Sequence, residues 1–290
     1  MIPTTSVAST DKRRADLHVH TIHSDGRHSM QEILDDAALG LDLISICDHD
    51  TMGAYLSDWT LPKDLKLLPG IEMTCQVGDH DLHMLAYFPD GLTEEIADWS
   101  KDLEEDRRER VLEGVHKLRE SGLGLLWKDL EAEVGDSTPC RSHVARALVR
   151  SGLCSSPNQA FRQWLGKIPF RRTRLRVEEA FSQVHEMGGL NYWAHPQSQH
   201  LEEYGDLLLK CGLDGIESLY KNLRAPHRRQ AREFQENFGL EKCGGSDLHQ
   251  QTARMPIGRF GIHFDLIDER LLTPAAPETW AIRREVSTTQ

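Results

Sequence analysis

His18 and His20 stand two residues apart in the run Asp16-Leu17-His18-Val19-His20, and Ser24-Asp25-Gly26 follows directly. Residues i and i+2 of a strand share a face, so the two imidazoles are expected to aim at one spot. Gly26 tolerates a tight turn, which lets the following loop return Asp25 to that spot. Imidazole with carboxylate suits a divalent ion such as zinc, manganese or iron. The same residue types recur downstream: His49 in Asp48-His49-Asp50, Glu72 after Pro69-Gly70-Ile71, His83, His195 before Pro196, and Asp247 and His249 in Gly245-Ser246-Asp247-Leu248-His249. Four ligands satisfy one zinc. The larger set implies two or three ions, some bridged by a carboxylate. His80 competes with His83 for a place in the set, but His80 belongs to a Gly78-Asp79 turn and His83 to an apolar strand, so His83 is preferred. His23, His28 and His200 lack such a setting and are expected to be exposed or to lie behind the site.

The elements that must carry these residues alternate between strand and helix. The capping-box pair Ser29 and Glu32, with Ile33, Leu34, Ala37 and Ala38 at helical spacing, predicts a helix over 29–40 that stops at Gly40. Apolar runs at 43–47, 65–68, 81–87, 190–194 and 214–219 read as strands, most ending in a His, Asp or Glu. Helices are expected at 177–187, 202–211 and 226–238. Repeated strand–helix units close into an α/β barrel with functional groups at the strand ends. The alternation breaks at about residue 93. Residues 94–120 carry Ile96, Trp99, Leu103, Val111, Val115 and Leu118 at helical spacing, and 129–134, 142–150 and 158–165 read as further helices. The expected organisation is a lead at 1–14 without structure, a barrel from 15–92 and 171–273, a helical insert at 93–170, and a loose tail at 274–290 in which Trp280 and Ile282 could pack.

Composition excludes some roles. The net charge is −12, so a non-specific nucleic-acid coat is disfavoured. No apolar run reaches a membrane span, and residues 1–10 have no apolar core of a secretory signal. The six cysteines are scattered without a Cys-x-x-Cys pair, the pattern of reduced thiols in a cytoplasmic protein.

Taken together, Asp16-Leu17-His18-Val19-His20, Ser24-Asp25-Gly26, Asp48-His49-Asp50, Gly70-Ile71-Glu72, His83, Ala194-His195-Pro196 and Gly245-Ser246-Asp247-Leu248-His249 resemble the motifs of the polymerase-and-histidinol-phosphatase family, over about 16–262 and in order. The resemblance implies a distorted seven-stranded (β/α) barrel with a centre of two to three divalent ions (Mn, Fe or Zn). It implies as ligands His18, His20, Asp25, His49, Glu72, His83, His195, Asp247 and His249, with Asp25, His49 and Asp247 in catalysis. The expected reaction is hydrolysis of a phosphate ester by a hydroxide bridging the ions. The helical insert, through Arg141-Ser142-His143-Val144-Ala145-Arg146 and Trp164-Leu165-Gly166, resembles that of the subfamily acting on nucleoside 3′,5′-bisphosphates and on RNA 5′ ends. This chain departs from the family pattern at Ile168-Pro169-Phe170-Arg171-Arg172 and at Ser218-Leu219-Tyr220-Lys221-Asn222.

Substrate is then expected to be a phosphorylated small molecule or a short oligonucleotide. Arg141, beside Ser142 at a helix start where free N–H groups favour anions, is the candidate phosphate clamp; Ser142 is expected as the helix cap and as a second contact, and His227 as a third. The basic run Arg162, Lys167, Arg171, Arg172, Arg174 and Arg176 is either a solvated linker or a rim for a second phosphate. The arginines of the cluster Arg224, Arg228, Arg229 and Arg232 read as a solvated face, Trp193 as core, and Trp164 or Phe170 as a possible base-stacking platform. Two other readings stand beside this one: a histidinol-phosphate-type monoesterase, which the helical insert argues against, and a metal-stabilised scaffold without activity, which missing ligands would favour.

Overall fold

Strand β1 (Arg14–Val19) is buried over nearly all its length and pairs in parallel with β2 (Leu43–Ile46). This computed structural model describes residues 12–220, 225–252, 256–258 and 261–282. Helix α1 (Met30–Ala37) crosses between the two strands. It begins with the expected capping box, Ser29 accepting from the Glu32 N–H while Glu32 accepts from Ser29 N–H, and buries Met30, Ile33, Leu34 and Ala37. A one-turn helix α2 (Gly53–Leu56) leads to β3 (Lys66–Val77), which is parallel to β2.

At β3 the expected pattern gives way. The strand does not end at Glu72 but continues to Val77 and turns back through Gly78-Asp79 into β4 (His80–Tyr87), its antiparallel partner. Glu72 and His83 therefore lie in the middle of a hairpin rather than at strand ends. Pro69-Gly70 does not break β3, because Pro69 sits at the end of the parallel register opposite Ile46 and Gly70 already pairs with Tyr87. Strand β5 (Leu190–Trp193) adds antiparallel to β4, then β6 (Gly215–Tyr220) and β7 (Glu241–Gly245) add in parallel. A short strand β8 (Ile262–His263) runs antiparallel beside β1. Laid flat, the order β7-β6-β5-β4-β3-β2-β1-β8 would hold β1 and β7 roughly 29 Å apart. Instead Asp247 N–H donates to His18 O at 2.8 Å and His20 N–H to Leu248 O at 2.9 Å. The sheet thus curls into a nearly closed mixed barrel. A side chain at Gly245 would strike His18 at 2.5 Å, so glycine is what lets β7 approach β1.

Two apolar clusters hold the barrel. Leu17, Leu43, Leu68, Leu85, Tyr87, Tyr192 and Cys243, from β1 to β5 and β7, meet in one, sealed by Phe264 and Leu271. The other joins strand residues such as Ile44, Ile71, Met84 and Ile216 to the helices α1, α7 (Val177–Glu186), α8 (Ser198–Cys211) and α9 (Ala225–Phe238). Between β4 and β5 come α3 (Glu94–Glu120), α4 (Trp127–Val134), α5 (Arg141–Arg150), α6 (Pro157–Ala160) and a π-helical turn, Phe161–Leu165. These have a cluster of their own, including Val111, Val115, Leu118, Leu130, Val144, Leu148 and Leu165. Ile96 and Leu103, from the first half of α3, join the barrel's cluster instead, so one continuous helix ties the two together.

Both termini depart from expectation where they are described. Arg14 already belongs to β1; residues 1–11 and 283–290 lie outside the described residues. The segment 274–282 is packed rather than loose: Trp280 is buried against Tyr55 and Trp59, and Ala281 N–H donates to Leu92 O. Trp193 is core, 1% exposed, as expected. No helix among the described residues is long and apolar enough to cross a membrane.

Candidate metal centre

The loop after β1 is built to bring Asp25 back. Asp48, at the end of β2, accepts from Thr21 N–H at 2.7 Å, from Thr21 Oγ1 at 2.5 Å and from Ser24 Oγ. Gly26 N–H closes onto Thr21 O at 2.9 Å, where a Cβ would strike the His20 carbonyl. At the opposite wall His195 and Asp247 follow β5 and β7 with φ of 30° and 50°, a left-handed backbone that costs energy and folds each side chain back toward the barrel mouth. The turn at His195 is held by its N–H, which donates to Glu217 Oε2 at 2.8 Å.

All nine candidate ligands converge. Among the described residues three groups could each hold an ion: His20, Asp25, His49 and His249; His18, His20, Glu72 and Asp247; and His49, Glu72 and His83. His20, His49 and Glu72 each belong to two groups, so the three adjoin. His195 joins them through Nε2, 2.8 Å from Glu72 Oε1. Glu72 is fully buried at the centre, with His49 Nδ1 at 2.8 Å, His83 Nδ1 at 2.9 Å and His20 Nε2 at 3.3 Å.

The donor set fits cations better than it fits itself. Asp25 Oδ1, Glu72 Oε2 and His49 Nδ1 are buried without an aligned hydrogen-bond partner, although they crowd together. His18 Nε2 and His20 Nε2 face each other at 3.2 Å, where two lone pairs would need a cation between them or a proton shared. Burial alone would raise Glu72, but His83, His49 and His18 outweigh it and hold the carboxyl well below its usual range. Burial and the neighbouring His249 push His20 down to about 3; against its own burial, Asp25 and Asp247 lift His249 to about 10. Of the other histidines, His80 bonds Tyr204 OH at 2.6 Å outside these groups, with His200 beside it, and His28 accepts from Gln251 N–H.

A cavity of about 240 Å³ opens beside Asp25, His49 and His83. Arg107, Arg110 and Arg141 line it, with Phe161 and Phe170. Arg107 donates to Asp50 and to Thr74 Oγ1, each at 2.8 Å, and Arg110 reaches Asp50 at 3.2 Å. Arg141 stands over the rings of Phe161 and Phe170, 5.8 and 5.9 Å from their centroids, with no hydrogen-bond or ion-pair partner among the described residues. Such a lining suits an anion. Arg107 and Arg110 were absent from the sequence expectation. Their signal was helical phase: 103, 107, 110, 111 and 114 fall on one stripe of α3, so two arginines occupy apolar-face positions. Glu217 was also missed, a fully buried carboxylate within the apolar strand Ile216–Leu219.

The remaining expectations divide. The cap of α5 is Cys140, not Ser142; Ser142 is the second helical residue and its hydroxyl donates to Asp25 Oδ2 at 2.5 Å. His227 bonds Ser198 and lies outside the cavity lining. As expected of a solvated face, Arg228 and Arg232 are exposed and Arg229 pairs on the surface with Glu233; Arg224, Lys221 and Asn222 lie outside the described residues. Two members of the basic run are neutralised by α3: Arg171 holds Asp106 at 2.8 Å and Glu113 at 3.2 Å, and Arg174 holds Glu109 at 2.6 Å. Trp164 packs with the helical cluster, and of the two aromatics only Phe170 lines the cavity.

No family model matches the chain. A 5′–3′ exoribonuclease of Haemophilus influenzae is 26% identical over 269 residues, covering 88% of this chain and 96% of that protein. A 3′,5′-nucleoside bisphosphate phosphatase of Chromobacterium violaceum is 26% identical, covering 81% of this chain and 86% of that one. A solved structure from Bifidobacterium adolescentis, assigned as a metal-dependent phosphoesterase, superposes with a TM-score of 0.74 at 26% identity over 90% of this chain and 96% of its own. With the motif order intact, the barrel formed and such relatives matching over most of their length, the chain is a metal-dependent phosphoesterase whose motifs resemble those of the polymerase-and-histidinol-phosphatase family.

Proposed function

We propose that this enzyme hydrolyses the 3′-phosphate ester of a nucleotide that also carries a 5′-phosphate: a nucleoside 3′,5′-bisphosphate, or the terminal nucleotide at the 5′ end of a short RNA. Two to three divalent ions (Mn, Fe or Zn) would be held by the nine convergent residues. When bound they supply Lewis acidity and a water of lowered pKa. The chain's own residues do the rest. Asp25, His49 and Asp247 are the ligands assigned to catalysis, and Ser142 fixes the orientation of Asp25 through its hydroxyl. Arg141 takes a phosphate, with Arg107 and Arg110 adding positive charge behind it. The helical segment 93–170 acts as an inserted unit that carries these arginines over the barrel mouth. The free state of all six cysteines supports a reducing compartment such as the cytoplasm.

The observation that carries this reading is Arg141, a cation with no paired carboxylate among the described residues, in a cavity that also touches Asp25, His49 and His83. A monoesterase needs only the ions and one phosphoryl site. A cationic cavity beside them lets binding energy from a remote phosphate be used at the reacting centre. The names of the H. influenzae and C. violaceum relatives support the same substrate class. Adenosine 3′,5′-bisphosphate should exceed 3′-AMP in kcat/KM by at least about tenfold, roughly 1.4 kcal/mol. Equal rates, or a preference for histidinol phosphate, would assign the cavity another task; no hydrolysis of any phosphate ester by metal-loaded protein would leave the scaffold reading.

A further inference from the structure

A second cavity, of about 640 Å³, opens on the other side of Ser142 and Phe161. Asp25, Ser142 and Phe161 line both cavities, and His249 lines the second, so the two meet at one group of candidate ligands. The walls of the second are Arg27, Glu133, Arg146, Val149, Arg150 and Pro157. Three guanidiniums there surround one carboxylate: Arg150 at 2.5 Å, Arg146 at 3.0 Å and Arg27 at 3.7 Å from Glu133. Glu133 is nearly buried, whereas the side chains of Arg27 and Arg150 are about half exposed. The cluster keeps a net positive charge and turns it toward solvent along an apolar-floored trough.

We propose that this trough is the bed for the polynucleotide chain beyond the bond that is cut. The inference rests on the nucleotide reading above and extends it. A mononucleotide bisphosphate needs the smaller cavity and the ligand cluster alone. An RNA placed the same way has its terminal 5′-phosphate at Arg141 and its first internucleotide phosphate at the ligand cluster. The rest of the chain must leave on the far side, where Arg27, Arg146 and Arg150 meet its backbone phosphates. Water adds to phosphorus and the P–O3′ bond breaks. The 3′-oxygen of the terminal nucleotide takes a proton, and the phosphate stays on the shortened chain. That chain again carries a 5′-phosphate and can re-enter in the same way. With a bisphosphate the same bond breaks, and inorganic phosphate is the product.

The test compares a 5′-phosphorylated RNA tetranucleotide with adenosine 3′,5′-bisphosphate on metal-loaded protein, and follows anisotropy of the labelled tetranucleotide on metal-free protein. Arg27→Ala/Arg150→Ala should lower kcat/KM for the tetranucleotide at least tenfold, change that for the bisphosphate less than twofold, and weaken metal-free binding with a shallower salt dependence. Should the double variant fail to fold, Arg150→Ala alone, at the half-exposed end of α5, carries the same comparison. Equal losses on both substrates, or no loss on either, overturn the trough. Bisphosphate hydrolysis by wild type without tetranucleotide hydrolysis or binding also overturns it and leaves the nucleotide reading standing. Failure on both substrates removes that reading and the trough with it.

Discussion

Replacing Glu217 by glutamine preserves the shape of a fully buried side chain while exchanging one oxygen for an NH2 group. The carboxylate accepts from two donors, His18 Nδ1–H at 3.1 Å and the backbone N–H of His195 at 2.8 Å. The first contact orients the His18 ring so that Nε2 aims at the group with His20, Glu72 and Asp247; the second holds the turn that presents His195. An amide can accept with its oxygen only. If its NH2 faces the His195 N–H, two buried donors oppose each other, at about 1–3 kcal/mol for an unsatisfied group. If it faces His18, the ring must move its proton to Nε2 and lose the lone pair it offers. Either way, losing such an orienting partner typically weakens metal binding about 10–100-fold, roughly 1.4–2.7 kcal/mol. Chelator-competition titration of metal-free Glu217→Gln with Zn2+ or Mn2+ measures it, and far-UV circular dichroism checks that the barrel is formed. A metal affinity within twofold of wild type in a folded variant would refute the orienting role.

Elemental analysis of protein purified without chelator should find two to three transition-metal ions per chain, and Asp247→Ala should remove activity while leaving the barrel folded; less than one ion after reconstitution sinks the multi-ion centre. Arg141→Ala should cost about 2–4 kcal/mol of transition-state binding in kcat/KM on the bisphosphate, the range for truncating one member of a desolvated charge pair. Unchanged kinetics would return Arg141 to a surface role. His143 is 2% exposed, accepts from Cys140 N–H at 2.9 Å, and is pushed by burial and the nearby Arg146 down to about 4. The unfolded chain therefore takes up this proton first as pH falls below about 6.5, and the folded chain only near 4. The resulting stability is full above about 6.5 and lost progressively toward 4, at most about 3 kcal/mol. Urea unfolding of wild type against His143→Gln across that window should show the variant's flatter slope; parallel slopes would count against a neutral buried histidine.

Sequence by itself determined what depends on near neighbours. The Ser29–Glu32 capping box sets the start of α1 because both partners lie within one turn. The apolar period of 94–120 specifies α3, since helical contacts are local. The candidate ligands were legible because each sits in a short string that combines a chemically apt side chain with a strand or tight turn. Tertiary structure decided everything that depends on which distant segment arrives opposite. Glu72 read as a strand-end residue, yet β3 runs on to pair antiparallel with β4, and a pairing partner is not encoded in a strand's own alternation. Arg171 and Arg174 read as part of a solvated linker or a phosphate rim until α3 supplied Asp106, Glu109 and Glu113, more than fifty residues earlier in the chain. Conversely, Arg107 and Arg110 drew no expectation from the sequence, and it is the fold that buries them against Asp50. Glu217 acquired its two donors only when β6 was set beside the turn after β5 and across from β1. A charge's role depends on its desolvation and its partners, and folding assigns both through contacts that local sequence does not contain.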